Sequence, residues 1–290
     1  MGARWLAILL VIIGSSSYGL LSAIVKIVYT TEGWSDAQVT PAQITMGGVI
    51  LWLILLCQPK AWSNPFKGPW IQLALVGIFG LALCTVFYNK SLSELDASVS
   101  IVLLFQFTWM TIAMEAIHSR KWPKPNQWIA VGMIMVGTAM SVNVMSADWG
   151  RFTAGGVLFG LLAALAYSLF LFFTGKIKTD MHPFMKSAVM VTASLPVLYL
   201  LYPPSAPVAG GWGSWLLWGA ALGMLGQAIP TIAFNIGIPR IGSSLAAMLG
   251  SMELPAAVLA AFFLLGETVH GVQWFGMLFI LAGISISERK

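Results

Sequence analysis

Charge is what this sequence has least of. Only 9% of its 290 residues are Asp, Glu, Lys or Arg, against roughly a quarter in soluble domains of ordinary composition. A chain so poor in polar surface is excluded from the soluble globular class. Cysteine is nearly absent too. Cys57 and Cys84 each lie in or at the end of an apolar run, so they read as small hydrophobes, not a disulfide framework. The three histidines, His118, His182 and His270, are scattered near the ends of apolar runs. No metal-spaced His/Cys set, nucleotide cradle or nucleophile triad accompanies them. These gaps argue against an enzyme, against a bound cofactor or metal, and against a pump that carries its own ATPase.

What the chain does have is apolar residues, at 58%, together with 29 glycines and 13 tryptophans. Its mean hydropathy is +0.86. Small residues allow close helix packing in a bilayer, and tryptophans favour its interfaces. Apolar segments fall at about 4–29, 41–57, 69–89, 95–117, 126–145, 152–174, 183–202, 212–235, 241–265 and 269–286. A membrane-spanning helix needs about 20 residues, so the expected fold is an all-α polytopic membrane protein with ten transmembrane helices. The first segment is too long for a signal-peptide core and reads as a retained helix.

The few charges orient this chain. With the N-terminus inside, the inner ends and loops collect twelve basic residues, among them Arg4, Lys60, Lys67, Arg120, Lys121, Lys124, Lys176, Arg289 and Lys290. The outer side holds Lys90 and Arg151 beside acids that include Glu32, Asp36, Asp148 and Glu267. Basic residues concentrate on the cytoplasmic side of membrane proteins, so both termini are expected in the cytoplasm. The net charge of +5 therefore reads as a topological bias, and no nucleic-acid partner is expected.

Shifting the chain by 146 residues aligns Tyr88-Asn89 with Phe234-Asn235, Gln127-Trp128 with Gln273-Trp274, and Gly137 with Gly283. The expected domains are thus two five-helix repeats, 1–146 and 147–290. Five is odd, so the second repeat must be inverted relative to the first. Inverted repeats are the usual frame of alternating-access transporters, with the substrate site near the midplane. Two further glycine pairs, Gly156…Gly160 and Gly219…Gly223, have the small-xxx-small spacing of packed helices.

Several stretches resemble one family. "LLGETVHGVQWFGMLFILAGI", residues 264–284, with Gly266-Glu267, Gly276 and Gly283, is similar to the closing signature of EamA domains of the drug/metabolite transporter superfamily. The upstream "MELP" with Pro255, and Lys26 near the end of the first helix, also fit that pattern. The first half departs from it, with "HSRKWP" in place of a Gly-Glu and "AQITMGG", including Gln43, in place of an arginine. The resemblance implies a two-repeat, ten-helix carrier of small metabolites through a central cavity. It leaves the substrate open.

Glu253, about the middle of the ninth segment, is the leading candidate for proton or substrate coupling. A carboxylate at mid-membrane costs several kcal/mol unless paired, hydrated or protonated; the alternative is a bundle-stabilising acid. Gln106 and Trp109, three apart in the fourth segment, could orient a polar solute and stack on a planar or cationic one, or simply bond and pack. Tyr18 and Tyr167 could each offer a hydroxyl. Asn89 and Asn235 fall at matching repeat positions near segment ends, where capping is the simpler role. Lys26 could bind an anionic group, pair with an acid, or snorkel. Glu115 is expected to form a local ion pair with Arg120 or Lys121, and Glu267 to serve the turn that follows the ninth helix.

The expected function is secondary transport, as an exporter, of small organic solutes, with protons as the coupling ion if there is one. The expected setting is the cytoplasmic membrane of a bacterial cell, as a monomer or weak homodimer. The alternatives are an uncoupled facilitator and a non-transporting receptor or assembly subunit.

Overall fold

The computed structural model describes residues 2–64, 66, 68–146, 152–203 and 211–288. Lys67, Asp148, Arg151, Arg289, Lys290 and the start of the second expected repeat at 147 lie outside the described residues. Among those described there are ten helical rods and no strand. They are α1 (Gly2–Thr31), α2 (Asp36–Cys57), α3 (Trp70–Glu94), α4 (Ala97–Ser119) and α5 (Pro125–Ser141). Then come α6 (Ala154–Lys176), α7 (Pro183–Leu201), α8 (Gly211–Ile241), α9 (Ser243–Leu265) and α10 (Gly271–Glu288). Eight are long and apolar enough to cross a membrane. The shorter pair, α5 and α10, pack along one another. The chain is a polytopic helical membrane protein.

Local chemistry explains where the rods begin. Pro125 occupies the first turn of α5, where its missing N–H costs nothing. Gln127 Oε1 then accepts the backbone N–H of Lys124 at 2.9 Å, and Gln273 Oε1 accepts that of His270 at 3.0 Å. The matched glutamines noted in the sequence thus close the same cap on α5 and α10. Thr153 Oγ1 accepts from the Gly156 amide at 3.0 Å to start α6. At the other end of α9, Gly266 takes φ +67, a left-handed stop that suits glycine.

Four rods are interrupted, and the interruptions recur. In α3 the segment Gly77–Ala82 widens to a π turn, and in α8 the segment Met224–Ala228 does the same. In α4 the ladder tightens, with Gln106 N–H to Leu103 O at 3.1 Å and Thr108 N–H to Phe105 O at 3.1 Å. In α9 the matching bonds are Met252 to Leu249 at 3.0 Å and Leu254 to Ser251 at 3.3 Å. Shifted by 146 residues, the offset of the sequence identities, the tightened bonds coincide and the π turns overlap.

Glycines bring the rods together at these points. A Cβ on Gly19 would strike the backbone of Glu253 and Ala257, so α1 and α9 touch main chain to main chain there. A Cβ on Gly77 would strike the Met190 carbonyl, which fixes α3 on α7. Gly156 and Gly160 meet the side chains of Leu95 and Leu103, and Gly219 and Gly223 meet Met46. Both spaced pairs therefore pack helices.

The core lies mainly toward the half that holds the N-terminus of α1. Phe105, Phe107, Phe170 and Phe234 are fully buried. Phe107 meets Tyr167 edge-on at 4.7 Å between centroids, and Phe170 lies 6.0 Å from Phe234. Below them Glu115 ties three rods, accepting from Lys176 Nζ at 2.6 Å and Ser243 Oγ at 2.5 Å. Its ion-pair partner is Lys176 of α6, which corrects the local pairing with Arg120 or Lys121 read from sequence spacing. Spacing along one helix cannot reveal a neighbour supplied by another.

Candidate functional site

The opposite half of the bundle is open. A cavity of about 600 Å³ runs from the helix interruptions toward the face that carries the α1–α2 and α3–α4 turns. Its walls come from Tyr18 to Tyr29 of α1, Asp36 to Ile44 of α2, Gly80 to Leu92 of α3 and Ala97 to Phe105 of α4. Tyr167 of α6, Gly226 and Gln227 of α8, and Glu253, Leu254 and Ala257 of α9 complete it. Apolar side chains dominate, with a few polar groups between them, which is the usual make-up of a small-molecule site.

The deep end forms where rods are irregular. Ser251 and Met252 interrupt α9, so Glu253 stands in the first turn of its second segment, Glu253–Leu265. A helix start offers positive dipole to an acid, which helps hold a carboxylate at mid-span. No hydrogen bond or ion pair to the Glu253 side chain is present among the described residues. In α8 the π turn leaves the Leu225 carbonyl to accept Ser17 Oγ at 2.6 Å. The next residues bring Gln227 to the cavity wall. Gln227 is 7% exposed, and its Oε1 accepts no hydrogen bond among the described residues. π turns are often found at functional sites.

The mouth is polar. Lys26 and Glu267 form an ion pair across α1 and the α9–α10 turn, at an exposed position. Asp36 accepts from Thr40 Oγ1 at 3.1 Å. Nearby, Glu32 Oε2 accepts from Ser214 Oγ at 2.7 Å and Oε1 from Trp218 Nε1 at 2.9 Å, clamping the end of α1 to α8. Those two donors hold the Glu32 carboxyl below its ordinary pKa, because they favour the charged form.

The structure thus brings Glu253, Tyr18, Tyr167, Lys26 and Asn89 to one cavity. Gln106, Trp109 and Asn235 lie elsewhere. Trp109 is 38% exposed, and its Nε1 donates to Gln106 Oε1 at 2.8 Å, so the pair satisfies itself beside the α4 interruption. Asn235 is buried inside α8, not at its end, and donates to Ser187 Oγ at 3.0 Å on α7. Asn89, also inside its helix, donates to the Tyr202 hydroxyl at 3.2 Å. Sequence reasoning missed Gln227, Tyr88, Tyr29 and Asp36 as cavity residues. Only the Gly-Gln step at 226–227 offered a signal, as a polar residue inside an apolar run.

The family model described as the EamA-like transporter family matches residues 5–143 and again 154–288. The chain belongs to the EamA-like transporter family. An uncharacterized transporter of Archaeoglobus fulgidus is 28% identical over 220 residues, covering 73% of this chain and 76% of its own length. The uncharacterized transporter YcbK of Bacillus subtilis is 23% identical, covering 96% and 92%. The threonine/homoserine exporter RhtA of Salmonella typhimurium is 24% identical, covering 99% and 93%. A solved crystal structure superposes with a TM-score of 0.73 at 17% identity, covering 99% of this chain and 98% of its own, so the fold is shared. The EamA-like chain is a membrane transporter.

Proposed function

We propose that this EamA-like chain is a secondary exporter of small organic solutes that works by alternating access, with Glu253 as its proton-coupling group. The observation that carries the reading is a cavity, open toward one face, whose deep end holds a carboxylate with no partner among the described residues, at a helix interruption. A leak-proof carrier needs one barrier while the other side is open. Here the Phe107–Tyr167–Phe170 packing and the Glu115–Lys176 pair supply it.

The architecture behind this reading is ten spans in two inverted repeats, 1–146 and 147–290, with both termini in the cytoplasm of a bacterial cell. The recurrence of π turns and ladder breaks at one offset supports it, as does the distribution of basic residues. On that orientation the cavity faces outward. Rocking of the repeats about the α4–α9 and α2–α7 contacts would close it and open the opposite half. The likeness to a protein named as a threonine/homoserine exporter supports the outward direction.

The test is solute flux in proteoliposomes under an imposed pH gradient, using amino acids, amines and lipophilic cations, with Glu253→Gln alongside. Wild type is expected to accumulate its solute with the gradient. The variant is expected to lose gradient-driven accumulation at least about tenfold, and to keep solute exchange only at concentrations high enough to offset weaker binding. Equal, gradient-independent flux by both proteins would make the chain a facilitator and Glu253 a structural acid. No flux of any solute would sink the transport reading.

A further inference from the structure

We propose that the cavity selects a protonated primary amine on a compact apolar or aromatic body, and discriminates against the corresponding zwitterion or carboxylate. The inference rests on the transporter reading for its biological meaning, but binding alone tests it.

Two acceptors at the deep end have no donor among the described residues. The Glu253 carboxylate has no partner among the described residues, and the Gln227 Oε1 is buried without one. Both line the same cavity, α8 and α9 both packing on the Ser17–Gly19 stretch of α1. An ammonium group carries three N–H donors and a positive charge, so it meets the carboxylate directly and the Gln227 oxygen once that side chain turns toward it. Around them Tyr18, Tyr88, Tyr167 and Phe105 present aromatic surface, which attracts cations to its faces and accommodates an apolar body.

Charge balance argues the same way. Among the described residues Lys26 is the only Lys or Arg lining the cavity, and it lies at the mouth, already paired with Glu267. Asp36 adds a second acid there. A solute carboxylate would therefore enter a space whose unpaired formal charge is negative, and would have to displace Glu267 to find a cation. Removing that carboxylate converts an amino acid into the preferred solute.

Gln227 sharpens the class further. A quaternary ammonium keeps the charge but has no N–H to give, so a buried acceptor stays unsatisfied when it binds. Primary amines should therefore outbind their trimethylated analogues, although both satisfy the carboxylate electrostatically.

The experiment is equilibrium binding to the purified full-length protein, by calorimetry, of four probes: phenethylamine, its N,N,N-trimethyl derivative, phenylalanine and 3-phenylpropionate. The expected order places phenethylamine at least about tenfold tighter than each of the others. Glu253→Gln should weaken phenethylamine at least tenfold. Gln227→Leu should erase the primary-over-trimethyl preference, and Gln227→Glu, which keeps an acceptor, should retain it. The wild-type ratios alone decide the matter if a variant fails to fold. Phenylalanine or 3-phenylpropionate binding as tightly as the amine would overturn the proposal, as would equal binding of primary and trimethylated forms. Flux separates the two readings. Amine binding in the expected order without flux leaves this proposal standing and sinks transport. Flux of other solutes without amine binding does the reverse.

Discussion

Helices α4 and α9 are broken at the same register, yet they do opposite things. In each, two shortened backbone bonds turn the ladder at matching residues, Leu103 to Thr108 and Leu249 to Leu254. The residue that follows the break is Phe107 in one and Glu253 in the other. Phe107 is fully buried among aromatic rings and belongs to the closed half. Glu253 faces the cavity of the open half. A shared backbone irregularity therefore prepares two equivalent stations, and one side chain decides which is a wall and which is a site.

The largest effect should come from erasing that difference. Phe107→Glu places a carboxylate in a site without room or partner, removing a large core side chain as well. A loss of more than about 4 kcal/mol is expected, read as thermal or denaturant unfolding in detergent. A variant as stable as wild type would mean that the two stations have equivalent surroundings.

Next in size is the contact that sets the site's depth. Gly19 lets α1 lie against the Glu253 backbone, and any side chain there must part the helices. Gly19→Val is expected to destabilise by about 1–3 kcal/mol. Gly132→Val, at a glycine with open space around it, should cost about 1 kcal/mol or less. Equal losses would show that the α1–α9 approach is not tight.

The smallest effect tests the origin of the break. Pro255 removes an N–H from α9, and its ring discourages an unbroken helix. The equivalent residue in α4 is Trp109, which has its N–H, and α4 breaks all the same. Pro255→Ala should thus leave the interruption in place and change stability by no more than about 1 kcal/mol. A straight α9 in a structure of the variant would return the cause to the proline.

Much of the fold was legible because its signals are local or periodic. Apolar runs of the right length mark helices whatever their neighbours, and the offset of 146 residues showed itself in pairs such as Gln127 and Gln273, whose caps the structure repeats. Glu253 stood out because an acid within an apolar run is costly and therefore conspicuous. The pair Gln106 and Trp109 carried the same kind of polar signal, but a helix has several faces. These two stay outside the cavity lining and bond to each other instead.

By itself, then, the sequence determined a bilayer-spanning helical chain, a duplicated pattern and an acid that called for a reason, since composition and spacing act along the chain. Only the tertiary structure decided which half is open, that Glu115 meets Lys176, and that Gln227 joins Glu253 at one cavity. These depend on which helices become neighbours and how closely glycines let them approach. Such choices are made by packing across the bundle, between residues far apart in sequence.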